Sequence, residues 1–271
     1  MTLDYRPTGY RAITPGMSAA GTPRLVEFLA RAFGGVLSDC TRNPDGTIGH
    51  GAIRIGDSLV EMCEAKAEWP ARPCAIHLYS PDTDALFQRA VEAGARILLP
   101  LENASYGDRA AAVQDPAGNH WYLATRLADG PIPKGFHTLT PYVLTRGADA
   151  VMEFMQATFS ATQHMRVTKD DGSVMHAEMQ IDDSIIEIAD GGGEWPPMPC
   201  ALHLYVPDSD SAYTRAIAAG AGSLYEPRDM FYGDREGGIQ DPGGNHWYIA
   251  THKEDVPEEE ITRRLAVAQK G

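Results

Sequence analysis

The chain has 271 residues, 43% hydrophobic and 22% charged, with a net charge of −14. That length suggests about two soluble domains, the acidity excludes the basic face that nucleic-acid binding needs, and no apolar run reaches membrane-spanning length. Four cysteines (Cys40, Cys63, Cys74, Cys200) form no Cys-x-x-Cys pair, and the N-terminal residues carry no basic and apolar leader, so the expectation is a reduced, cytoplasmic protein.

In chain order, Thr22-Pro23 reads as a helix start, a cap residue followed by proline. Pro44-Asp45-Gly46 is a hairpin turn, and Gly94 closes a second helix. Residues 129–134, with two prolines and a glycine, form a linker. Phe136–Pro141 alternates as a half-buried strand, and Ala148–Phe159 places Val151, Phe154, Met155 and Phe159 on one helical face. Lys169-Asp170-Asp171-Gly172 is a hairpin turn, followed by strands Met175–Ile181 and Ser184–Ala189. The pattern restarts with a strand at Leu202–Val206 and a helix at Asp208–Ala219 closed by Gly220. Strands near Ser223–Tyr225, Gly237–Gln240 and His246–Thr251 come next, the last after the turn Asp241-Pro242-Gly243-Gly244. Asp255 to Glu258 begins a final helix through about Ala268.

The two halves repeat without a gap. His120 and His246 lie in Gly-Asn-His-Trp-Tyr words with an offset of 246 − 120 = 126, which also relates His50 to His176, His77 to His203 and Tyr106 to Tyr232. The expected domains are 1–128 and 135–254, with a C-terminal helix over 255–271. Two drifts stand out: Arg11 against His137, and Gly51-Ala52 against Ala177-Glu178.

Each half reads as strand–helix–strands twice, giving an α+β protein of four βαβββ units. This resembles the vicinal oxygen chelate superfamily, which includes glyoxalase I, extradiol dioxygenases and bleomycin-resistance proteins. The wording is most similar to its PhnB-like group at His137-Thr138-Leu139-Thr140-Pro141-Tyr142, His176-Ala177-Glu178-Met179, Asp183-Ser184, Leu202-His203-Leu204-Tyr205-Val206, Phe231-Tyr232-Gly233-Asp234-Arg235 and Asp241 to Trp247. The resemblance implies cup-shaped mixed sheets formed by paired units, with metal ligands on the first and last strands of each unit. A tandem chain then acts as a covalent pseudo-dimer, monomeric or a weak homodimer.

By that resemblance the metal-binding glutamate falls at Glu187 and its histidine at His137. The remaining positions fall at Ala201, which cannot ligate, and at Tyr248, a departure from glyoxalase I. His203 lies two residues beyond Ala201, on the same face. The first half supplies Arg11, Glu61, Ala75 with His77, and Tyr122. Arg11 cannot ligate, because a guanidinium has no acceptor; paired with Glu61 it replaces a metal by an ion pair. Within-half cups would combine His137, Glu187, His203 and Tyr248; cross-half cups would combine His137, Glu187, His77 and Tyr122. Either gives two histidines and one carboxylate in one cup, enough for a divalent ion such as Zn, Fe, Mn, Ni or Mg, with at most one cup occupied.

Trp69 and Trp195 read as packing over the cup mouths, and Tyr106 and Tyr232 as loop residues with binding potential. Alternatively, His77 and His203 bond backbone in a strand core, and His120 and His246 hold the turn before the last strand. Three functions are consistent with these residues. One is a metal-dependent lyase, isomerase or oxygenase acting on a small oxygen-chelating substrate, with Glu187 as base. Another is a non-catalytic binder of a small molecule or antibiotic, using Tyr79, Trp69, Tyr205 and Trp195. The third is a scaffold with decayed cups.

Overall fold

The computed structural model describes residues 4–264 other than 68, 129, 258 and 262. Four units succeed one another. The first comprises β1 (Ile13–Ala19), α1 (Thr22–Phe33), β2 (Val36–Arg42), β3 (Ile48–Ile55) and β4 (Ser58–Glu64); the second β5 (Ala75–Tyr79), α2 (Thr83–Glu92), β6 (Arg96–Asn103), β7 (Asp108–Gln114) and β8 (His120–Arg126). The third comprises β9 (Leu139–Thr145), α3 (Ala148–Phe159), β10 (Thr162–Thr168), β11 (Val174–Ile181) and β12 (Ser184–Asp190); the fourth β13 (Ala201–Tyr205), α4 (Ser209–Ala218), β14 (Gly222–Asp229), β15 (Asp234–Gln240) and β16 (His246–His252). The expected α+β architecture of four βαβββ units is present.

The sheets are assembled across the halves. One eight-stranded sheet runs β14-β15-β16-β13-β1-β4-β3-β2, joining units one and four; the other runs β10-β11-β12-β9-β5-β8-β7-β6, joining units two and three. The antiparallel pairs β1·β13 and β5·β9 are the junctions. The apolar core follows the opposite rule. Phe33, ending α1, packs 4.7 Å from Trp121 of unit two, and Phe159, ending α3, packs 4.9 Å from Trp247 of unit four. Arg89 of α2 donates to the Ala32 carbonyl at the end of α1, and Arg215 of α4 repeats this on Thr158. Each half therefore packs its own helices and tryptophan together within one continuous apolar core, while each cup is shared between halves. Trp121 and Trp247 are fully buried, and truncating either would cost about 3–5 kcal/mol.

The apolar face read on Ala148–Phe159 is the buried one: Val151, Phe154, Met155 and Phe159 are all inside. The α1 start differs in detail. Thr22 is already helical, Gly21 precedes it in a left-handed conformation, and the Glu64 carboxylate at the end of β4 accepts the Gly21 and Thr22 amides at 2.7 and 2.9 Å. Asp190 does the same for Ala148, at 2.9 Å. A carboxylate from the neighbouring strand thus satisfies the helix N-terminus and its dipole.

The strand expected at Phe136–Pro141 begins only at Leu139 and continues to Thr145. The preceding residues are taken by the β3–β4 turn of the other sheet: Asp57 accepts the Thr138 amide at 2.9 Å and Ser58 accepts that of Leu139 at 3.1 Å. The mirrored contacts are Asp183 with the Ala12 amide and Ser184 with that of Ile13. Together they form a seam with approximate two-fold symmetry between the sheets. Of the final helix expected to Ala268, 259–261 and 263–264 are helical, and its remainder beyond 264 lies outside the described residues. No helix among the described residues is long and apolar enough to cross a membrane.

Candidate functional site

Strand register places two rows of side chains on the concave face of each sheet. In the first sheet one row is Tyr225, Gly238, Tyr248, His203 and Thr14; the next is His246, Ala201, Gly16, Glu61, Ala52 and Asp39. In the second sheet the rows are Leu99, Ala112, Tyr122, His77 and Thr140, then His120, Ala75, Tyr142, Glu187, Glu178 and Met165. The cross-half alternative is therefore the observed one, and both cups are complete within one chain.

The Glu61 cup holds a chain of charged and phenolic groups. His203 Nδ1 lies 3.1 Å from both Glu61 oxygens. Its Nε2 makes no aligned hydrogen bond but sits 3.4 Å from Glu236 Oε2, a long ion pair. Tyr225 and Tyr232 both donate to Glu236, the latter at 2.9 Å, and the Tyr10 hydroxyl lies against Glu61. Burial alone would lower the His203 pKa, but Glu61, with Glu236 and Asp234 behind it, outweighs burial and holds it up at about 9. Burial likewise pushes Glu61 up, and the facing imidazolium brings it below the ordinary carboxylate range. Two carboxylates thus face one imidazolium inside an aromatic wall. Tyr225 stacks toward Tyr248 at 6.4 Å, Trp69 stands edge-on to Tyr248 at 6.5 Å, and Tyr205 stacks on His203 at 4.5 Å. Gly238 is required here: a Cβ would lie 2.5 Å from the Tyr225 ring.

The Glu187 cup keeps the histidine–glutamate pair and little else of that chain. His77 Nδ1 lies 3.0 Å from both Glu187 oxygens. The positions matching Tyr10, Tyr225 and Glu236 are Phe136, Leu99 and Ala110, each 126 residues away. Tyr106, the match of Tyr232, is 65% exposed. Trp195 packs 5.8 Å from Tyr122 and 5.9 Å from His120.

The structure divides the residues expected to share one metal. His77 meets Glu187, His203 meets Glu61 in the other cup, and His137 is in neither. Its Nδ1 lies 3.1 Å from Asp57 and its Nε2 2.9 Å from the Asp183 carbonyl, at the seam. Arg11 is there too, bonded to Asp57 at 3.0 Å rather than to Glu61. Both precede their strands, so period-two alternation from the cup does not reach them. The turn before the last strand is held not by His120 and His246 but by Asp115 and Asp241. Asp241 accepts the Gly243 and Asn245 amides, the Asn245 side chain and the Trp247 indole, all within 2.9–3.1 Å; Asp115 accepts the equivalent set. His246 instead faces the cup, where burial and the Arg72 guanidinium 3.0 Å away push its pKa down to about 4.

Sequence reasoning passed over Glu236, Tyr225, Tyr142 and the cup-facing side of His246. Alternation from Tyr248 would have found His246. Glu236 belongs to a strand whose extent was read too short, at Gly237, and was missed for that reason.

Among the described residues no group of three or more His, Cys, Asp and Glu side chains is arranged to hold a metal ion. In the Glu61 cup one histidine lies between two carboxylates, and in the Glu187 cup one histidine faces one carboxylate, while the flanking row positions are Gly16 and Ala201, or Tyr142 and Ala75. This donor set does not fit the expected ion held by two histidines and a carboxylate.

The family model for the Glyoxalase/Bleomycin resistance protein/Dioxygenase superfamily matches residues 18–123 and 136–249. An uncharacterized protein of Mycobacterium bovis is 36% identical over 134 residues, covering 45% of this chain and 86% of that protein. An uncharacterized protein of Mycobacterium tuberculosis matches at the same identity, with 76% of its length covered. Among solved structures, glyoxalase I from Zea mays superposes with a TM-score of 0.69 at 14% identity, covering 94% of this chain and 96% of that one. A putative dioxygenase from Bacillus subtilis superposes with a TM-score of 0.59, also at 14% identity, with 96% of both chains covered. These two likenesses show the fold. With both halves matched, the chain belongs to the Glyoxalase/Bleomycin resistance protein/Dioxygenase superfamily.

Proposed function

We propose that the chain is a small-molecule binding protein that takes a small aromatic cation in its Glu61 cup. The observation that carries this reading is the Glu61–His203–Glu236 chain, in which two carboxylates face one imidazolium. That sets carboxylate oxygens beside Tyr225 and Tyr248. A cation in such a site gains the ring quadrupoles and the carboxylate field together, about 0.5–2 kcal/mol per desolvated aromatic contact. Tyr225 and Tyr232 donate to Glu236, which fixes those rings, and the Arg228 guanidinium, 5.1 Å over the Tyr225 ring, marks the place a ligand cation would take. The metal-dependent enzyme reading asks for two histidines and a carboxylate around one ion, a set that neither cup brings together among the described residues.

The test is calorimetric titration with benzyltrimethylammonium at neutral pH and low salt, with its neutral tert-butyl analogue as control. The cation should bind in preference to the analogue, and a chelator should change nothing. Glu236→Gln should weaken binding about tenfold, roughly 1.4 kcal/mol. Equal binding of cation and neutral analogue would sink the proposal. Binding abolished by chelator would return the metal reading.

A further inference from the structure

The position matching Gly16 in the Glu187 cup is Tyr142, since 16 + 126 = 142. Its ring lies 5.1 Å from Tyr122 and 5.8 Å from His176, and its hydroxyl is 3.3 Å from His176 Nδ1. In register it stands between Ala75 and Glu187. Tyr142 thus lays an aromatic ring across the floor of its own cup, over the carboxylate.

The Glu61 cup has matching residues at three of these positions and no ring, with Arg72, bonded to His246, where the other half has Met198. Tyr248 matches Tyr122, His50 matches His176, and Ala201 matches Ala75. The three atoms nearest a Cβ built on Gly16 all belong to Ala201, at 3.5 Å and beyond, and the Gly16 backbone has no positive φ that would demand glycine. Two exposures agree. The Glu61 side chain is 13% exposed where that of Glu187 is 3%, and His50 is exposed where His176 is half-buried.

We infer that Tyr142 is a built-in occupant of the Glu187 cup and that the Glu61 cup takes a phenol-sized aromatic ring of a ligand in the equivalent place, over Gly16. The inference rests on reading the Glu61 cup as a ligand site, and it deepens that reading by naming the ring. The ligand ring lies between Tyr248 and His50, offset or edge-on as aromatic pairs prefer. A polar substituent opposite its point of attachment meets His50, as the Tyr142 hydroxyl meets His176. One ligand binds per chain, because the other cup is filled by the chain itself.

The probe is p-cresol, which is the tyrosine side chain as a free molecule. Wild-type protein should bind one equivalent. Gly16→Tyr should bind none, because the new side chain fills the cup. Tyr142→Gly should bind two equivalents, and p-cresol should restore part of the thermal stability that this variant loses. Circular dichroism establishes that each variant is folded. If Gly16→Tyr fails to fold, the count of two against one for Tyr142→Gly and wild type decides alone. Zero or two equivalents in wild type, one still bound in folded Gly16→Tyr, or no gain in folded Tyr142→Gly overturns the inference. Benzyltrimethylammonium is titrated into the same wild-type sample. If it binds and p-cresol does not, the ring assignment falls and the cation reading stands. If p-cresol binds and the cation does not, the charge argument falls and the ring assignment stands. If neither binds, the Glu61 cup is not the ligand site and both fall.

Discussion

Arg11 and His137, equivalent positions of the two halves, bond the same Asp57 carboxylate, at 3.0 and 3.1 Å. Arg11 also reaches Asp183, at 3.7 Å, and His137 reaches the Asp183 carbonyl. The drift from Arg11 to His137 therefore lies where the two copies meet. On an axis of approximate symmetry, equivalent residues crowd one another and share partners, and two unlike donors fill that space where two guanidiniums would repel.

Replacing Asp57 by Ala should destabilise the fold by about 2–4 kcal/mol, because it strips the Thr138 amide, Ser58, Arg11 and His137 of one acceptor. Chemical denaturation checks the loss. Arg11→His should change stability by about 1 kcal/mol or less, as expected for a part-exposed ion pair, and should leave p-cresol and cation binding unchanged. A variant that gained a bound metal in a cup would contradict the seam role of Arg11.

Stability should have an alkaline limb set by His203. Its folded pKa of about 9 stands above the ordinary 6.5, so the folded state binds the proton more tightly. The contribution is full below about 6.5 and is lost as pH rises through about 9. His246 acts on the acid side. Its folded pKa of about 4 lies below the ordinary value, so the unfolded state takes up the proton first and stability falls as pH drops from about 6.5 to 4. Thermal melts across pH 4–10 should show His203→Asn flattening the alkaline limb and His246→Asn the acid one.

Gly238→Ala should weaken cation binding severalfold. The added methyl falls 2.5 Å from the Tyr225 ring, which must swing away from Tyr248 and release Glu236. Overpacking of this kind costs about 1–3 kcal/mol. Titration beside a melt separates the local change from loss of fold. Ala112→Gly, the mirrored change in the other cup, should leave cation binding as it was.

Asp241→Ala should cost about 2–4 kcal/mol, since the Asn245 amides and the Trp247 indole are buried and lose their acceptor. The Trp247 fluorescence should shift in the native state. Asp115→Ala should behave alike through Trp121. Unequal losses would show that the two halves of the core, similar in sequence, differ in packing.

The sequence by itself determined the repeat, the four βαβββ units, the helix faces and the turns. These depend on periodicity and on residues such as Gly94 and Gly220, whose local conformation, with φ of 102° and 95°, only glycine adopts readily. The family resemblance carried by its words also singled out Glu187, and the repeat singled out Glu61. Which partner each takes was decided by tertiary structure. Strand pairing between β1 and β13, and between β5 and β9, joins unit one to unit four and unit two to unit three, although core packing joins units within each half. Both pairings satisfy the same local pattern, so alternation could not choose between them. The choice gave His203 to Glu61 and His77 to Glu187, sent Arg11 and His137 to the seam, and brought Glu236 and Tyr225 to a histidine distant in sequence. Those contacts are set by register between strands remote along the chain, and no local property of either strand encodes them.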